Sequence, residues 1–403
     1  MRMTTTRSTR LGPVARGFSA ETEQLLEVLE GWLRRDVAPA VNRIEHADEY
    51  PQDFVEQMRE FGLFGATIPT EYGGMGLNAS EYSAVVELIS TVWMSLTGVI
   101  NSHLMMAELI RRYGTDHQRQ AWLPKLAAAE MRGGLALTEP EAGTDLQAIR
   151  TTAERRGDTY VLRGAKSWIT NAYRGNCLAL LAKTDPQAEP AHAGMSMFVV
   201  QRSDGYDVTR TMSKLGYKGV DTAEFTLDDV VLPGDRIIGG VPGLGFKQTV
   251  GVLELGRINV AARGVGVASA ALDAALRYSK QRHTMGKPIG EHQAIQIMLA
   301  DMACRTASSR LMVRQAADSF DAGERCDVEA GMAKLVASEA ALSNAVSAMR
   351  IHGAYGYSTE YEVERYYRDA PLLCIGEGTN EIQRVVIARG LLARADETTG
   401  SVV

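Results

Sequence analysis

Apolar positions recur at helical spacing over two stretches of the chain and alternate between them. Leu25, Val28, Leu29 and Trp32 follow the 3.6-residue period, as do Phe54, Met58 and Phe61, so residues 20 to 130 read as helices. From about 134 to 241 the period falls to two. Gly157-Asp158 is a turn signal leading into Thr159-Tyr160-Val161-Leu162, and Met197 to Val200 and Thr222 to Leu227 also read as strands. Short strands separated by turn residues predict a small barrel or sandwich. From 244 the helical period returns. Leu335, Leu342, Val346 and Met349, with Ser338 in the same stripe, predict one buried face, and Ile295, Met298, Leu299 and Met302 another. Gly264, Gly266, Ala268, Ala270 and Ala271 put small residues on a third helix, which lets a neighbour approach closely. The expected fold class is α+β, with no internal repeat. A tail would cover 1–18, an N-terminal α-helical domain 19–133, a middle β domain 134–241 and a C-terminal helical bundle 242–403.

A chain of 403 residues can bury a core in each of these parts. A net charge of −6 without a basic stripe excludes an ordinary nucleic-acid binder, so any anionic ligand needs a local site. Cys177, Cys304, Cys326 and Cys374 show no CxxC spacing and no clustering with histidine, which argues against a metal centre. No apolar run approaches the roughly 20 residues that span a bilayer, and no secretory h-region stands near the start, so membrane insertion is not expected. Arg2, Arg7, Arg10 and Arg16, with no acid before Glu21, loosely resemble an organelle transit peptide. The plainer reading is a tail, and the expected compartment is then the cytoplasm rather than an organelle matrix.

Four segments can carry chemistry, and each has a plainer reading. In Leu137-Thr138-Glu139-Pro140-Glu141-Ala142-Gly143-Thr144-Asp145 two hydroxyls and an approachable Gly143 amide suit a polar ring edge or a phosphate; it could equally be an ordinary turn. In Ser167-Trp168-Ile169-Thr170-Asn171 an indole can pack on a planar cofactor while Thr170 bonds its rim; the alternative is a core Trp in a strand. Arg282 in the segment Arg282 to Ile289, with Gln293 just beyond, could hold a pyrophosphate or could simply be a solvated helix end. In Ile375-Gly376-Glu377-Gly378-Thr379-Asn380 the spacing of Asn380 and Gln383 predicts a capping box and a helix start that can bind phosphate. Glu377 lies just before it with glycines on both sides, which leaves a substrate room to reach the carboxylate. The run Met94 to Met106 reads either as a ligand tunnel or as core filler. The stretch Tyr72 to Gly76 is Gly-rich but follows no strand, and reads as a loop.

Found in this order across an α–β–α pattern, the four segments resemble the acyl-CoA dehydrogenase family from about residue 20 to 395. The resemblance implies FAD as cofactor, an acyl-CoA substrate, electron-transfer flavoprotein or a similar acceptor, and a homotetramer built as a dimer of dimers. It implies that Leu137, Thr138, Gly143 and Thr144 line the flavin and its phosphate arm, and that Trp168 and Thr170 meet the isoalloxazine ring. Arg282, Thr284 and Gln293 would hold the distal half from a neighbouring subunit. Arg350 and Gly353 lie in the segment that closes over it, and Thr379 and Asn380 would bind flavin phosphates. Leu253, Glu254 and Arg257 would face the CoA arm. Glu377 would be the base and Gly378 would lie against the thioester. The base takes a proton from Cα while a hydride leaves Cβ for flavin N5, with the Glu377 N–H polarising the thioester oxygen.

Departures sharpen this picture. Gly256 occupies the position from which some family members supply their base, so Glu377 has no rival there. Met285, Arg350 and Ala354 stand where an aromatic, glutamine and glycine are common, which bears on the adenine side. Gly376 replaces a tyrosine common in straight-chain enzymes and points to a branched or bulky acyl group. The rival readings are a dehydrogenase of a carrier-protein thioester, a flavin oxidase or monooxygenase on the same fold, and a non-catalytic flavin binder.

Overall fold

The computed structural model describes residues 17–399. The Arg-rich segment up to Arg16 therefore lies outside the described residues. The chain opens with α1 (Ala20–Trp32), which runs through a wider π turn at Leu33–Val37 into α2 (Ala38–His46). Then come α3 (Gln52–Glu60), α4 (Ala79–Ser90), α5 (Met94–Tyr113) and α6 (Asp116–Ala127). Local chemistry sets these boundaries. Asn78 with Glu81 and Thr115 with Gln118 form capping boxes at the starts of α4 and α6, each satisfying otherwise unpaired N–H groups. Helix α5 is buried along almost its whole length, so Met94, Met105 and Met106 fill core rather than standing exposed.

Seven strands follow: β1 (Gly133–Ala136), β2 (Thr152–Arg156), β3 (Thr159–Thr170), β4 (Cys177–Lys183), β5 (Met195–Gln201), β6 (Asp207–Thr211) and β7 (Thr222–Pro233). They form one curled sheet in the order β1-β4-β2-β3-β7-β6, with β5 also paired to β4. Cys177 to Ala182 of β4 are all buried. Leu178, Leu180 and Ala182 face a core of their own with Phe198, Val200 and Phe225. Ala179 and Leu181 face the helices. Burial on both faces explains why β4 is a continuous apolar run and not an alternating one.

The C-terminal part is helical: α7 (Gly245–Gln281), a short hairpin β8 (His283–Thr284) with β9 (Lys287–Pro288), α8 (Gln293–Asp321), α9 (Asp327–His352), α10 (Val363–Ile375) and α11 (Asn380–Thr399). The small residues of α7 do what their size predicts. A side chain at Gly264 would run into the Ala337 carbonyl of α9, and one at Gly266 into Glu87 and Ser90 of α4. The stripe expected on α9 is not the buried one. Ala333, Lys334, Ala337, Ser338, Ala341, Asn344, Ala345 and Ala348 are buried, while Leu335, Leu342 and Met349 are half-exposed and Val346 is exposed. Close helix approach selects the narrow face, so residue size rather than hydrophobicity decides which side faces α7. On α8 Met302 is buried, but Ile295, Met298 and Leu299 remain partly open. Among the described residues no helix is long and apolar enough to cross a membrane, and no cluster of His, Cys, Asp or Glu suits a metal.

Candidate active site

Glu377 sits in the short loop between α10 and α11 with φ of 54°, a left-handed backbone that is uncommon for a residue with a side chain. The loop is held from beneath. Lys334 of α9, fully buried, donates to the Cys374 and Gly378 carbonyls at 3.3 and 2.8 Å and to Asn380 Oδ1 at 2.9 Å. Gln383 Nε2 donates to the Gly378 carbonyl at 3.2 Å. The helix start predicted here exists, but its cap is Thr379: the hydroxyl accepts from Ile382 N–H at 3.3 Å. Asn380 spends its side chain on Lys334, Ser338 and Glu339. The predicted capping box of Asn380 with Gln383 is thereby corrected. Both side chains are buried, and each has a partner other than the helix start.

The Glu377 carboxylate points at α5 and α7. Oε1 accepts from Asn101 Nδ2 at 2.6 Å and lies 3.6 Å from Arg263 Nη2. Oε2 is buried without a hydrogen-bond partner and packs beside Gly256. Burial pushes the carboxyl above its ordinary value; Arg263, then Asn101, Lys334 and Arg257, pull the other way and lose. Arg257 is itself buried with an unpaired Nε, and burial lowers its pKa while Glu254 opposes that. A Cβ at Gly376 would come 3.3 Å from the Leu372 carbonyl and meet no other residue.

A second patch gathers around a kink in β3. The pairing of β3 with β7 shifts register between Lys166 and Ile169, and Trp168 takes φ of 60° within that shift. Its indole is 58% exposed, which decides against a core tryptophan. Ser167 N–H donates to the Thr138 carbonyl at 3.0 Å, so the Leu137 to Thr144 loop lies against the same kink. The loop hangs on a buried ion pair. Lys166 Nζ donates to Glu139 Oε1 at 2.8 Å and to the Leu137 carbonyl at 3.1 Å, and Glu139 also accepts from the Arg150 and Thr151 N–H groups. Burial brings the Lys166 pKa down to about 8 against the pull of Glu139. Gly143 is exposed, and a side chain there would touch nothing but Thr138.

Helix α5 ties the two patches together. Its Val99 carbonyl accepts from Asn171, next to Thr170, at 2.9 Å, while Asn101 two residues on holds Glu377. Asn171, at the end of the kinked strand, and Glu377 are thus anchored two residues apart on one buried helix. Leu253, Glu254 and Arg257 lie on α7 within three residues of Gly256. Other predicted residues stand apart. Arg282, Thr284 and Gln293 are exposed on and beside the β8–β9 hairpin, with Met285 94% exposed at its tip. Arg350 and Gly353, also exposed, end α9 beside them, where Tyr278 stacks on His352 with ring centroids 4.2 Å apart. Reading the sequence missed Asn101, Arg263, Lys334 and the Lys166–Glu139 pair. The available signal for Asn101, Arg263 and Lys334 was polarity out of place: each interrupts an otherwise apolar or small-residue helix face.

An exposed indole over a kinked strand, an exposed glycine and hydroxyls beside it, and a largely buried carboxylate reached through α5 fit a flat cofactor with a phosphate arm. Comparison with known proteins agrees. The chain matches the family models for the acyl-CoA dehydrogenase N-terminal domain over 19–130, the middle domain over 134–230 and the C-terminal domain over 243–392. It is 37% identical to an acyl-CoA dehydrogenase of Bacillus subtilis across 92% of this chain and 98% of that protein. Butyryl-CoA dehydrogenase from Megasphaera elsdenii superposes with a TM-score of 0.90 at 33% identity, covering 94% of this chain and 99% of that one. A chain from a structure described as the electron transferring flavoprotein of Acidaminococcus fermentans gives a TM-score of 0.90 at 35% identity, covering 93% and 98%. With all three domains matched in order along a chain of this fold, the protein belongs to the acyl-CoA dehydrogenase family, whose members are FAD flavoproteins and oxidoreductases.

Proposed function

We propose that the protein dehydrogenates the Cα–Cβ bond of an acyl-CoA thioester, with Glu377 Oε2 taking the α-proton. The observation that carries this reading is the unpartnered, buried Oε2 on an otherwise hydrogen-bonded carboxylate. A base needs a free lone pair, a raised proton affinity and a fixed direction, and Glu377 has all three. FAD, when bound, supplies the acceptor for the β-hydride. Leu137, Thr138, Gly143 and Thr144 would hold the flavin edge and phosphate arm, Trp168 and Thr170 its ring, and Thr379 with the backbone N–H of Asn380 its phosphates. Arg282, Thr284, Gln293, Arg350 and Gly353 would hold the distal half, and their exposure supports contact with a neighbouring subunit.

Leu253, Glu254 and Arg257 would face the CoA arm, with Gly378 against the thioester. The missing side chain at Gly376, where a Cβ would meet only Leu372, supports a branched or bulky acyl group. An electron-transferring flavoprotein as acceptor is supported by the structural likeness to a chain from such a structure. Exposed Ile297, Leu311, Val346, Leu391 and Leu392 support assembly of several copies through α8, α9 and α11. The decisive experiment is anaerobic mixing of the yellow holoenzyme with a panel of acyl-CoAs, for the wild type and Glu377→Gln. The wild type should bleach with its preferred thioester, and the variant should lose at least about 100-fold in kcat/KM. A loss under tenfold would remove Glu377 from the role.

A further inference from the structure

The two oxygens of Glu377 live in unlike surroundings. Oε1 has Asn101 and Arg263; Oε2 has neither. Arg263 is only 4% exposed, and its guanidinium is fixed on two sides. Nε donates to Asn259 Oδ1 at 2.7 Å and Nη1 to the Tyr217 hydroxyl at 2.9 Å. Asn259 in turn donates to the Tyr82 hydroxyl at 3.0 Å. The remaining nitrogen, Nη2, has no hydrogen bond and is the one that faces the carboxylate. Gly98 makes this possible, because any side chain there would collide with the Tyr217 hydroxyl. A buried arginine is a poor stabiliser of a core, since apolar groups of the same volume commonly do as well or better. Three polar residues from α4, α7 and the loop before β7 nevertheless serve to hold this one in place.

We propose that Arg263 is a fixed counter-charge that keeps Glu377 ionised once substrate has excluded water, leaving Oε2 as the sole proton acceptor. This rests on Glu377 being the base. A carboxylate that depends on solvent to stay charged would lose that support when the thioester seals the site. A guanidinium locked by Tyr217 and Asn259 does not leave. The other groups facing Glu377 are Arg257 of α7 with Glu254 behind it, Lys334 of α9, Tyr82 of α4, Tyr217, and Asn101 and Met105 of α5. Among the described residues only Arg263 brings a cationic nitrogen within 4 Å of the carboxylate. Arg263 is therefore a positioning residue that acts through the base.

The test is the pH profile of kcat/KM for the FAD-loaded enzyme with whichever acyl-CoA it turns over, comparing wild type, Arg263→Gln, Arg263→Lys and Tyr217→Phe. The required base is the anion, so losing the cation moves the acidic limb upward. Arg263→Gln should shift that limb by about one pH unit or more, with activity recovering at alkaline pH. Arg263→Lys should restore the limb towards the wild type. Tyr217→Phe, the milder change if Arg263→Gln will not fold, should shift it less and in the same direction. An unmoved limb in both Arg263→Gln and Tyr217→Phe overturns the proposal. So does a rise in KM alone that is confined to acyl groups bearing a terminal carboxylate, since Arg263 would then be a substrate contact. Glu377→Gln is run alongside. If it stays active the base reading itself fails, whereas an inactive Glu377→Gln with an unmoved Arg263→Gln limb overturns only the role of Arg263.

Discussion

Gly256 and Glu377 share a volume that only a hydrogen atom leaves open. A Cβ at Gly256 would fall well inside van der Waals contact distance of Glu377 Oε2 and 2.7 Å from Met105 Cε. The carboxylate would have to rotate away from the acyl position, and a displacement near 1 Å costs about 100-fold in an oriented reaction. Gly256→Ala should therefore lower kcat by roughly 10- to 100-fold while leaving flavin absorbance intact. Steady-state kinetics with the best acyl-CoA check this. Unchanged kcat would mean that the carboxylate works from another rotamer.

Trp168 makes a different kind of prediction. Its indole is exposed and its backbone is left-handed, so the fold gains little from it. Aromatic stacking contributes on the order of 1 kcal/mol beyond area burial. Trp168→Ala should weaken FAD retention by about three- to tenfold, with the melting temperature of the flavin-free protein nearly unchanged. A flavin titration followed by fluorescence, together with a thermal melt, separates the two effects. A large loss of apoprotein stability would make Trp168 a structural residue.

How far the sequence discloses the molecule follows from the range of the forces involved. Strand and helix periods are local, so the α–β–α order and strands such as Thr159–Leu162 are legible from the residues alone. The Glu377 loop is legible because its glycines and the helix start after it are adjacent in the chain. Arg263 and Asn101 are not, because they meet Glu377 only after α5, α7 and the α10–α11 loop converge from 114 or more residues away. The buried side of α9 is misjudged for a related reason. Hydrophobic periodicity identifies Leu335 and Leu342, but the space beside Gly264 admits only Ala337 and its small neighbours.

Glu377 should cost the fold stability. Burial raises its pKa, so the native state binds the proton more tightly than the unfolded chain does. Stability then falls as pH rises from the ordinary carboxyl range through the raised native value, and the penalty persists at neutral pH. A neutral amide avoids it and keeps the Asn101 contact on the amide oxygen. Glu377→Gln should melt higher than wild type at pH 7, by roughly 2 °C for each kcal/mol relieved in a chain of this size. The difference should vanish near pH 4. Melts of the flavin-free proteins at both pH values test this, and a lower melting temperature for the variant at pH 7 contradicts it.

Lys334 should behave in the opposite way. Its ammonium group is fully buried, and burial brings its pKa down to about 8. It grips the Cys374 and Gly378 carbonyls on either side of a base whose backbone sits in the left-handed region. Such a backbone costs on the order of 1–3 kcal/mol and persists only where its surroundings fix it. Lys334→Met keeps the length and removes the three donors; Gly378 keeps Gln383 and Asn380 keeps Ser338, but the Cys374 carbonyl loses its Lys334 bond, at about 1–3 kcal/mol. The loop should relax, the melting temperature should drop by several degrees, and kcat/KM should fall at least about tenfold. The loss should remain at alkaline pH, because the base is misplaced and not merely protonated. Persistence separates Lys334, which holds the loop, from Arg263, whose loss alkaline conditions should reverse. Full recovery of Lys334→Met above pH 9 would show that Lys334 also acts chiefly through its charge.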